Sequence, residues 1–201
     1  MSNPIDEVSV LNKGYVALFG PVVGERTIAE IATVSTGVRV PDWQRLIRML
    51  LQKGHMTPFE FVQLRWEIYA PVFVRDQIFR HRTFSFVAQS QRYSKEDVEY
   101  YKPARCGAVA ERFILDHIDR SELEANKLLE LGVPREIATR ARSSFRYTRF
   151  AMRTDLRNLL HFLELRLAKD AQWETRQYAA AMRDLAAEYY PITFGQEAGD
   201  E

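Results

Sequence analysis

The feature that most limits how this chain can fold is a stretch in which apolar and polar side chains alternate. Between residues 59 and 70, one set of alternate positions is largely apolar and the other is largely polar. The apolar set includes Val62, Leu64, Trp66, Ile68 and Ala70, and the other set includes Phe61, Gln63, Arg65, Glu67 and Tyr69. A period of two is that of a β-strand. We therefore predict a strand from Phe59 to Tyr69.

The segments before and after this strand predict both short strands and helices. Residues 8–23 mix β-branched residues with Gly and Pro, which is typical of one or two short strands joined by a turn. Pro41 and Asp42 open an amphipathic helix that Gly54 ends. A second helical segment begins at Pro71.

The second half of the sequence predicts mainly helix. Residues 83–107 have no regular period, so we expect an ordered but irregular segment, of the kind that is usually functional. The helices that we predict after it span 108–131, 134–152, 155–169 and 171–189. Strands early and helices late indicate an α+β fold, with an antiparallel sheet packed against long helices in a single domain of residues 1–201.

The composition excludes several classes of protein. Among 201 residues, 28 Lys and Arg face 27 Asp and Glu, which argues against a polycationic nucleic-acid-binding tail and against an acidic disordered chain. No run of about 18 apolar residues and no signal peptide is present, so we expect a cytoplasmic protein without a membrane segment. The lone Cys106 cannot form an intrachain disulfide. The glycine fingerprints of nucleotide-binding loops are also missing, so side chains would have to hold any nucleotide.

The densest group of polar residues lies between Arg80 and Ser94. It contains three Arg, one His and three Ser within fifteen residues, a set that can bind phosphate oxygens. The alternative is a solvated basic loop. The apolar neighbours Phe79, Phe84 and Phe86 favour the binding site, because they would anchor the segment against a core where guanidinium groups need anionic partners.

Two further groups of charged residues each allow a functional interpretation and a simpler structural one. The residues Arg142, Arg146, Arg149 and Arg153 would form one stripe of a helix, facing either solvent or a polyanion or acidic groups of another subunit. Residues 163–176 combine Glu, Arg and Gln, and ordinary ion pairing on a helix would also explain them. His55 and Glu60 are only two possible metal ligands, and the other His residues lack metal-binding spacing, so we expect no metal site.

These motifs together resemble the flavin-dependent thymidylate synthase family. The family signature of Arg-His-Arg, seven residues, Ser, one residue and Arg is matched by Arg80-His81-Arg82, Ser90 and Arg92. Further matching elements follow in the same order over about residues 30 to 194. They are Ser35, His55-x-Thr57-Pro58-Phe59-Glu60, Gln77, Tyr147-Thr148-Arg149, Phe162-Leu163-x-Leu165-Arg166 and Ala171-Gln172-x-Glu174-x-Arg176.

The resemblance implies reductive methylation of a uridylate (dUMP, UMP or both) at C5. In this family methylenetetrahydrofolate supplies the carbon, FAD reduced by NADPH supplies the hydride, and homotetramers form their active sites at subunit interfaces. The residues that the resemblance assigns to FAD are Ser35, His55, Thr57, Glu60, Arg80, His81, Arg82 and Arg166. Those that it assigns to the nucleotide are Gln77, Ser90, Arg92, Arg149 and Arg176, of which Ser90 and Arg176 are the catalytic candidates. No metal and no nucleic acid is expected.

The expected mechanism differs from that of the cysteine-dependent thymidylate synthases. Cys106 lies outside every matched motif, so we expect no thiolate addition to the pyrimidine. Ser90 has no visible general base and is assigned to binding. The hypothesis is that Arg176 stabilises negative charge developing on the pyrimidine carbonyls while reduced flavin supplies the reducing equivalents.

Two departures from the family pattern bear on the substrate. Val87-Ala88 stands where many members carry Asn followed by Glu or Gln, and Glu164 stands where an Asn is sometimes found beside the flavin. These changes suggest altered selectivity at the sugar, as in the branch that methylates UMP as well as dUMP in polyoxin-type nucleoside-antibiotic biosynthesis. The alternative hypothesis is a non-catalytic protein that binds nucleotides or single-stranded RNA through the same arginines and the rings of Phe84, Phe86 and Tyr93.

Overall fold

A five-stranded antiparallel sheet forms the centre of the molecule. The computed structural model describes residues 4–38, 40–90, 98–103 and 105–195. The strands are β1 (Asp6–Val10), β2 (Gly14–Phe19), β3 (Gln63–Pro71), β4 (Ser85–Ala88) and β5 (Tyr147–Asp155). Their order across the sheet is β1-β2-β3-β5-β4, and every neighbouring pair is antiparallel. The α+β class predicted from the sequence is therefore confirmed.

Seven α-helices accompany the sheet in the described residues. They are α1 (Arg26–Val34), α2 (Trp43–Gln52), α3 (Val72–Ile78), α4 (Ala108–Glu130), α5 (Arg135–Ala138), α6 (Leu156–Arg166) and α7 (Trp173–Tyr189). Asp42 caps α2 by accepting a hydrogen bond from the Arg45 amide at 2.9 Å, as its sequence signals predict. Asp155 caps α6 in the same way through the Asn158 amide at 2.8 Å. No helix in the described part of the chain is both long and apolar enough to span a membrane.

The central strand β3 begins later than its alternating pattern suggests. Thr57–Phe61 forms a short 3₁₀ helix, so the strand starts at Gln63 rather than at Phe59. The chain becomes extended at Val62, which caps the 3₁₀ helix. From Gln63 onward the alternation of buried and more exposed residues is as predicted.

The predicted helix over 134–152 is wrong. Arg135–Ala138 forms only one helical turn, Thr139–Ala141 continues it as a 3₁₀ helix, and Tyr147–Asp155 is the strand β5. This strand pairs with β3 along its whole length, from Gln63 opposite Asp155 to Pro71 opposite Tyr147. The four arginines therefore do not form a helical stripe. The irregular segment predicted over 83–107 is also partly wrong, since it contains β4 paired with β5.

The sheet has two faces of different character, which we call the core face and the open face. The core face carries Leu64, Trp66 and Ile68 of β3 and Phe150 and Met152 of β5, all buried in one cluster with residues of α6 and α7. The open face carries the alternate residues, in rows across the paired strands. One row is Arg65, Arg153 and Ser85, the next is Glu67, Ala151 and Val87, and the third is Tyr15, Tyr69 and Arg149.

A close contact joins α7 to the backbone of β3. The Tyr178 hydroxyl donates a hydrogen bond to the Tyr69 carbonyl at 2.9 Å. Gly14 makes room for it, because a Cβ atom at this position would lie 1.9 Å from the Tyr178 hydroxyl and 2.6 Å from the Tyr69 carbonyl oxygen. Glycine is thus required here for steric reasons.

Candidate active site

The Arg80-His81-Arg82 motif forms the turn that connects α3 to β4. The helix ends at Ile78, and the His81 amide donates a hydrogen bond back to the Ile78 carbonyl at 3.1 Å. The Phe84 amide then donates to the His81 carbonyl at 3.1 Å, and the Phe84 side chain is only 7% exposed. This buried ring fixes the turn against the core. The side chains of Arg80 and Arg82 remain exposed at its surface.

His81, Gln77 and Arg166 form a hydrogen-bonded cluster. Arg166 Nε donates to His81 Nε2 at 3.0 Å, and the guanidinium also reaches the Gln77 side-chain oxygen at 3.4 Å and the Gln77 carbonyl at 3.2 Å. The His81 ring stacks on Phe84 and meets the edge of Phe162, with centroid distances of 5.6 and 4.9 Å. The structure therefore brings together three predicted site residues from α3, the following turn and the end of α6.

The electrostatics of this cluster keep His81 neutral. Burial, followed by the positive charge of Arg166 and a contribution from His161, lowers the pKa of His81 to about 4. Burial and the nearby Arg80 also lower the pKa of Arg166, whose guanidinium stays charged at neutral pH. A neutral imidazole can accept the Arg166 hydrogen bond at Nε2, which leaves the Nδ1 position as its donor.

The donors of this region fit a polyanionic cofactor. Arg80 and Arg82 form no ion pair with any residue in the described ranges, and Arg166 contacts only neutral acceptors. Guanidinium groups without carboxylate partners can bind phosphate oxygens in a bidentate manner. Three such groups gathered near one turn suit a ligand with more than one phosphate.

An open cavity of about 670 Å³ lies between the 3₁₀ helix Thr57–Phe61, the signature turn and α6. Glu60 lies on this cavity together with Thr83 of the turn and Arg157, His161 and Glu164 of α6. Glu60 also forms an ion pair with Arg157. His55 and Thr57, just before Glu60 in the chain, are exposed. Of the residues assigned to FAD, Glu60 therefore lines this cavity, whereas His55 and Thr57 precede it in the chain.

Arg149 lies on the open face and not on a helix. Its guanidinium carbon is 5.8 Å from the centre of the Tyr69 ring, and its Nε is 3.9 Å from a Glu67 carboxylate oxygen. The Tyr15 hydroxyl donates to the same Glu67 oxygen at 2.7 Å. The Gln89 amide donates to the Arg149 carbonyl at 2.9 Å, which brings the exposed Ser90 next to this group along the chain.

The remaining predicted residues are not joined to these groups. The Ser35 hydroxyl, at the end of α1, donates to the Ala32 carbonyl at 3.0 Å. Arg176, in the first turns of α7, reaches the Lys169 carbonyl at 3.5 Å, and its buried Nε has no hydrogen-bond partner among the described residues. Arg92 lies outside the described residues. Among the described hydrogen bonds and ion pairs, none links Ser35 or Arg176 to another predicted site residue.

Sequence reasoning missed several residues that complete these groups. Arg157 pairs with Glu60, and Glu67, Tyr69 and Tyr15 surround Arg149. The alternation of Thr148, Phe150, Met152 and Thr154 with more polar residues was a signal for strand β5. With that strand recognised, antiparallel pairing with β3 would have directed Arg149 towards Glu67 and Tyr69.

No metal centre is visible in the described part of the chain, where no three His, Cys, Asp or Glu side chains could hold an ion together. Cys106 is exposed, and its thiol lies 3.4 Å from the Pro103 carbonyl oxygen. It belongs to the segment before α4, outside the groups around His81 and Arg149.

Comparison with known proteins decides the family. The family model described as the thymidylate synthase complementing protein matches residues 22–192. This chain belongs to that family. A flavin-dependent thymidylate synthase of Thermus thermophilus is 38% identical over 213 residues, which cover 96% of this chain and 78% of the relative. That of Thermotoga neapolitana is 35% identical over 199 residues, which cover 94% of this chain and 92% of the relative.

A solved structure agrees with the fold. The UMP/dUMP methylase PolB from Streptomyces cacaoi, bound with 5-Br dUMP, is similar with a TM-score of 0.81 at 23% identity, over 94% of this chain and 96% of that chain. The sequence-based resemblance to the flavin-dependent thymidylate synthases is thus confirmed. The chain is an enzyme of the flavin-dependent thymidylate synthase type.

Proposed function

We propose that this enzyme methylates a uridylate at C5, with methylenetetrahydrofolate as the carbon donor, FAD as the bound cofactor and NADPH as the reductant. The observation that carries this proposal is the contact of Arg166 with His81 and Gln77 beside Arg80 and Arg82, which form no ion pair within the described residues. It joins the signature turn to the end of α6 and leaves several positive charges available to phosphates. The flavin, when bound, supplies the reducing equivalents for the transferred carbon.

The residues of the signature turn would hold the flavin cofactor. Arg80 and Arg82 would bind its diphosphate, because their guanidinium groups are exposed and free of carboxylate partners in the described ranges. Arg166 is positioned beside the same turn by the neutral His81. Thr57, His55 and Glu60, together with Ser35, would make the remaining polar contacts.

The residues of the open face would hold the nucleotide. Arg149 would bind the phosphate together with Ser90 and Arg92. Gln77 accepts a hydrogen bond from Arg166, so it would connect the residues that bind the nucleotide to those that bind the flavin. Arg176 would stabilise negative charge on the pyrimidine carbonyls, and its partnerless Nε supports a ligand at that position. Cys106 takes no part, since its thiol faces the Pro103 carbonyl in a separate segment.

The assembly proposed from the family is a homotetramer with active sites shared between subunits. The open face supports this proposal because it combines charged residues with the apolar Val87, which is 75% exposed. Arg65, Arg153 and Arg149 project from the same face. A second subunit covering this face could complete the nucleotide site with its own signature residues.

The pair Val87-Ala88 supports a tolerance for ribonucleotides. Val87 lies in the row next to Arg149 on the open face, paired with Ala151. An apolar Val87 side chain beside a nucleotide phosphate would form fewer polar contacts with the sugar than an amide would, whereas Ala88 pairs with the core-face residue Phe150. UMP would therefore be accepted together with dUMP.

The alternative of a single-stranded RNA-binding protein lacks its stacking platform in the described residues. Phe84 is 7% exposed, and the Phe86 ring stacks on Phe79 with centroids 4.1 Å apart. Tyr93, the third ring of that hypothesis, lies outside the described residues. Bases cannot stack on rings that are already packed in the protein.

The test is flavin binding together with tritium release from C5-labelled dUMP and UMP. Purified wild type should show bound flavin in its absorption spectrum and should release tritium from both nucleotides when FAD, NADPH and methylenetetrahydrofolate are present. Arg166→Met should lose flavin binding, whereas Arg183→Met, which removes an exposed arginine paired with Asp184, should not. Absence of flavin binding and of tritium release in the wild type would refute the proposal.

Substrate selectivity is tested separately with the double variant Val87→Asn/Ala88→Gln. We expect the ratio of kcat/KM for UMP to that for dUMP to fall relative to wild type. Equal ratios, or activity of the wild type on dUMP alone, would refute the role assigned to Val87-Ala88 while leaving the proposed reaction intact.

A further inference from the structure

Arg146 is a buried guanidinium without an anionic partner in the described part of the chain. It lies just before β5 and is only 8% exposed. Its Nη1 donates to the Arg142 carbonyl at 3.3 Å, but its Nε is buried and has no hydrogen-bond partner. Charged side chains that are buried to this extent are normally paired, because removing an unpaired charge from water is costly.

The charged groups that act most strongly on Arg146 are cations. Burial lowers the pKa of Arg146 most, the charges of Arg75, Arg142 and Arg140 lower it further, and the Tyr100 hydroxyl acts in the opposite direction. Backbone hydrogen bonds place the start of α3 against this segment, from the Val72 amide to the Arg146 carbonyl at 2.9 Å and from the Phe73 amide to the Ser144 carbonyl at 3.4 Å. A protein gains nothing from such repulsion unless an anion offsets it.

The carboxylates that pair with Arg142 and Arg75 are committed to those residues. Glu122 accepts hydrogen bonds from Arg142 at 2.8 and 3.0 Å and from the Tyr100 hydroxyl at 2.5 Å. Asp76 accepts from Arg75 at 2.7 and 3.1 Å. Arg142 is therefore satisfied by a bidentate ion pair, whereas Arg146, four residues later, is not.

We propose that Arg146, Arg75 and Arg140 form a binding site for a small oxyanion of the phosphate class. The three residues come from the segment before β5, from α3 and from the 3₁₀ helix Thr139–Ala141. None of them belongs to the residues assigned to FAD or to the nucleotide. Arg146 lies on the side of the extended chain that carries Thr148 and Phe150, opposite Arg149, so the site is separate from the open face.

The anion could be free in solution or could belong to a second copy of this chain as a carboxylate. Both would supply the negative charge that Arg146 lacks. The geometry favours the free oxyanion, because Arg75 and Arg140 retain exposed surface through which a small solute can enter. The two sources give different results when binding and molecular mass are measured on the same variants.

The experiment measures thermal unfolding in sodium chloride and in sodium phosphate of equal ionic strength. Wild type should unfold at a higher temperature in phosphate, and the dissociation constant for inorganic phosphate should be at least about tenfold weaker in Arg146→Met, which keeps the length of the side chain without its charge. Arg183→Met serves as the control, because it removes an exposed arginine of α7 that pairs with Asp184 and has no part in the proposed sites. It should keep the phosphate response that depends on Arg146.

Two further measurements keep the proposal testable if Arg146→Met does not fold or if the oligomeric state changes. Arg75→Met alters a partly exposed residue, so this variant should fold and should still bind phosphate several-fold more weakly, even if Arg146→Met does not fold. Analytical ultracentrifugation gives the mass of each variant. An unchanged phosphate response in both Arg146→Met and Arg75→Met would overturn the proposal. A second result would also overturn the proposal: no phosphate response in wild type together with a changed molecular mass in Arg146→Met. That result would assign the anion to a second copy of the chain.

Discussion

The two faces of the sheet use the same strands for different purposes. On the core face, Trp66, Ile68 and Phe150 are buried beneath α6 and α7, and their contribution is to stability. On the open face, Arg149 and Glu67 alternate with them along the same strands but retain exposed surface and polar contacts. Neighbouring residues of β5 therefore differ in role because their side chains point in opposite directions. Substitutions on one face should therefore change the stability of this protein, and substitutions on the other should change its ligand binding.

The largest expected effect tests the core face. Phe150→Ala removes a fully buried ring that packs edge-on against Phe79, with centroids 5.2 Å apart. We expect the free energy of unfolding to fall by about 3–5 kcal/mol, because a large cavity is left in the core. Urea denaturation of the variant and of wild type measures this difference. A loss below about 1 kcal/mol would show that the core face is less tightly packed than its burial indicates.

The next effect tests the open face at the adjacent residue. Arg149→Ala should weaken nucleotide binding by about 1.5–3 kcal/mol, or roughly tenfold to a hundredfold, because a charge-assisted contact with phosphate is lost. Its free energy of unfolding should change by less than about 0.5 kcal/mol. Calorimetric titration with dUMP and urea denaturation provide the two values. If Arg149→Ala destabilised the fold as much as Phe150→Ala, the division of roles between the faces would be wrong.

A smaller effect concerns His81, which lies where the signature turn meets the core. Its pKa in the folded protein is lowered to about 4, whereas an unfolded histidine has a pKa of about 6.5. Between these values the unfolded chain binds more protons than the folded protein, so stability falls as the pH falls from about 6.5 to 4. His81→Gln removes this contribution and should lose less stability over the same interval.

The prediction for His81 is checked by measuring the unfolding midpoints of wild type and of His81→Gln at several pH values between about 4 and neutrality. Glutamine can still accept the Arg166 hydrogen bond, so flavin binding at neutral pH should largely persist in His81→Gln. Parallel pH profiles for the two proteins would show that His81 is not the group responsible.

The smallest effect is expected at Cys106, which belongs to neither face. Cys106→Ser should leave tritium release from dUMP nearly unchanged, because the thiol is exposed and contacts only the Pro103 carbonyl among its described hydrogen bonds. Complete loss of turnover in a folded Cys106→Ser variant would establish a thiolate mechanism and would overturn the role given to Arg176.

The elements predicted best from sequence are those whose pattern fits only one period. The alternation in β3 and the caps of α2 gave the correct type of structure, with an error of a few residues at the start of β3. In β5, Arg149 and Arg153 are four residues apart, a spacing that suits both one turn of a helix and every second position of a strand. The exposed arginines belong to the open face, and their spacing alone could not distinguish these two structures.

The residues of the candidate site also differ in how well the sequence predicts them. The signature residues Arg80 to Arg82 were identified by resemblance, but the contact between His81 and Arg166 joins residues 85 positions apart and depends on the packing of α6. The sequence also gives no sign that Arg142 is paired and Arg146 is not, since both are arginines in one polar segment. Partners of this kind are set by tertiary structure.

The contact at Gly14 has a consequence for the order in which this protein can mature on the ribosome. Tyr69, whose ring lies beside Arg149, is held at its carbonyl by a hydroxyl that comes 109 residues later in the chain. Contacts of such long sequence separation can form only after the distant segment has been synthesised. A nascent chain that ends before α7 therefore contains all five strands but lacks the hydroxyl that holds the Tyr69 carbonyl.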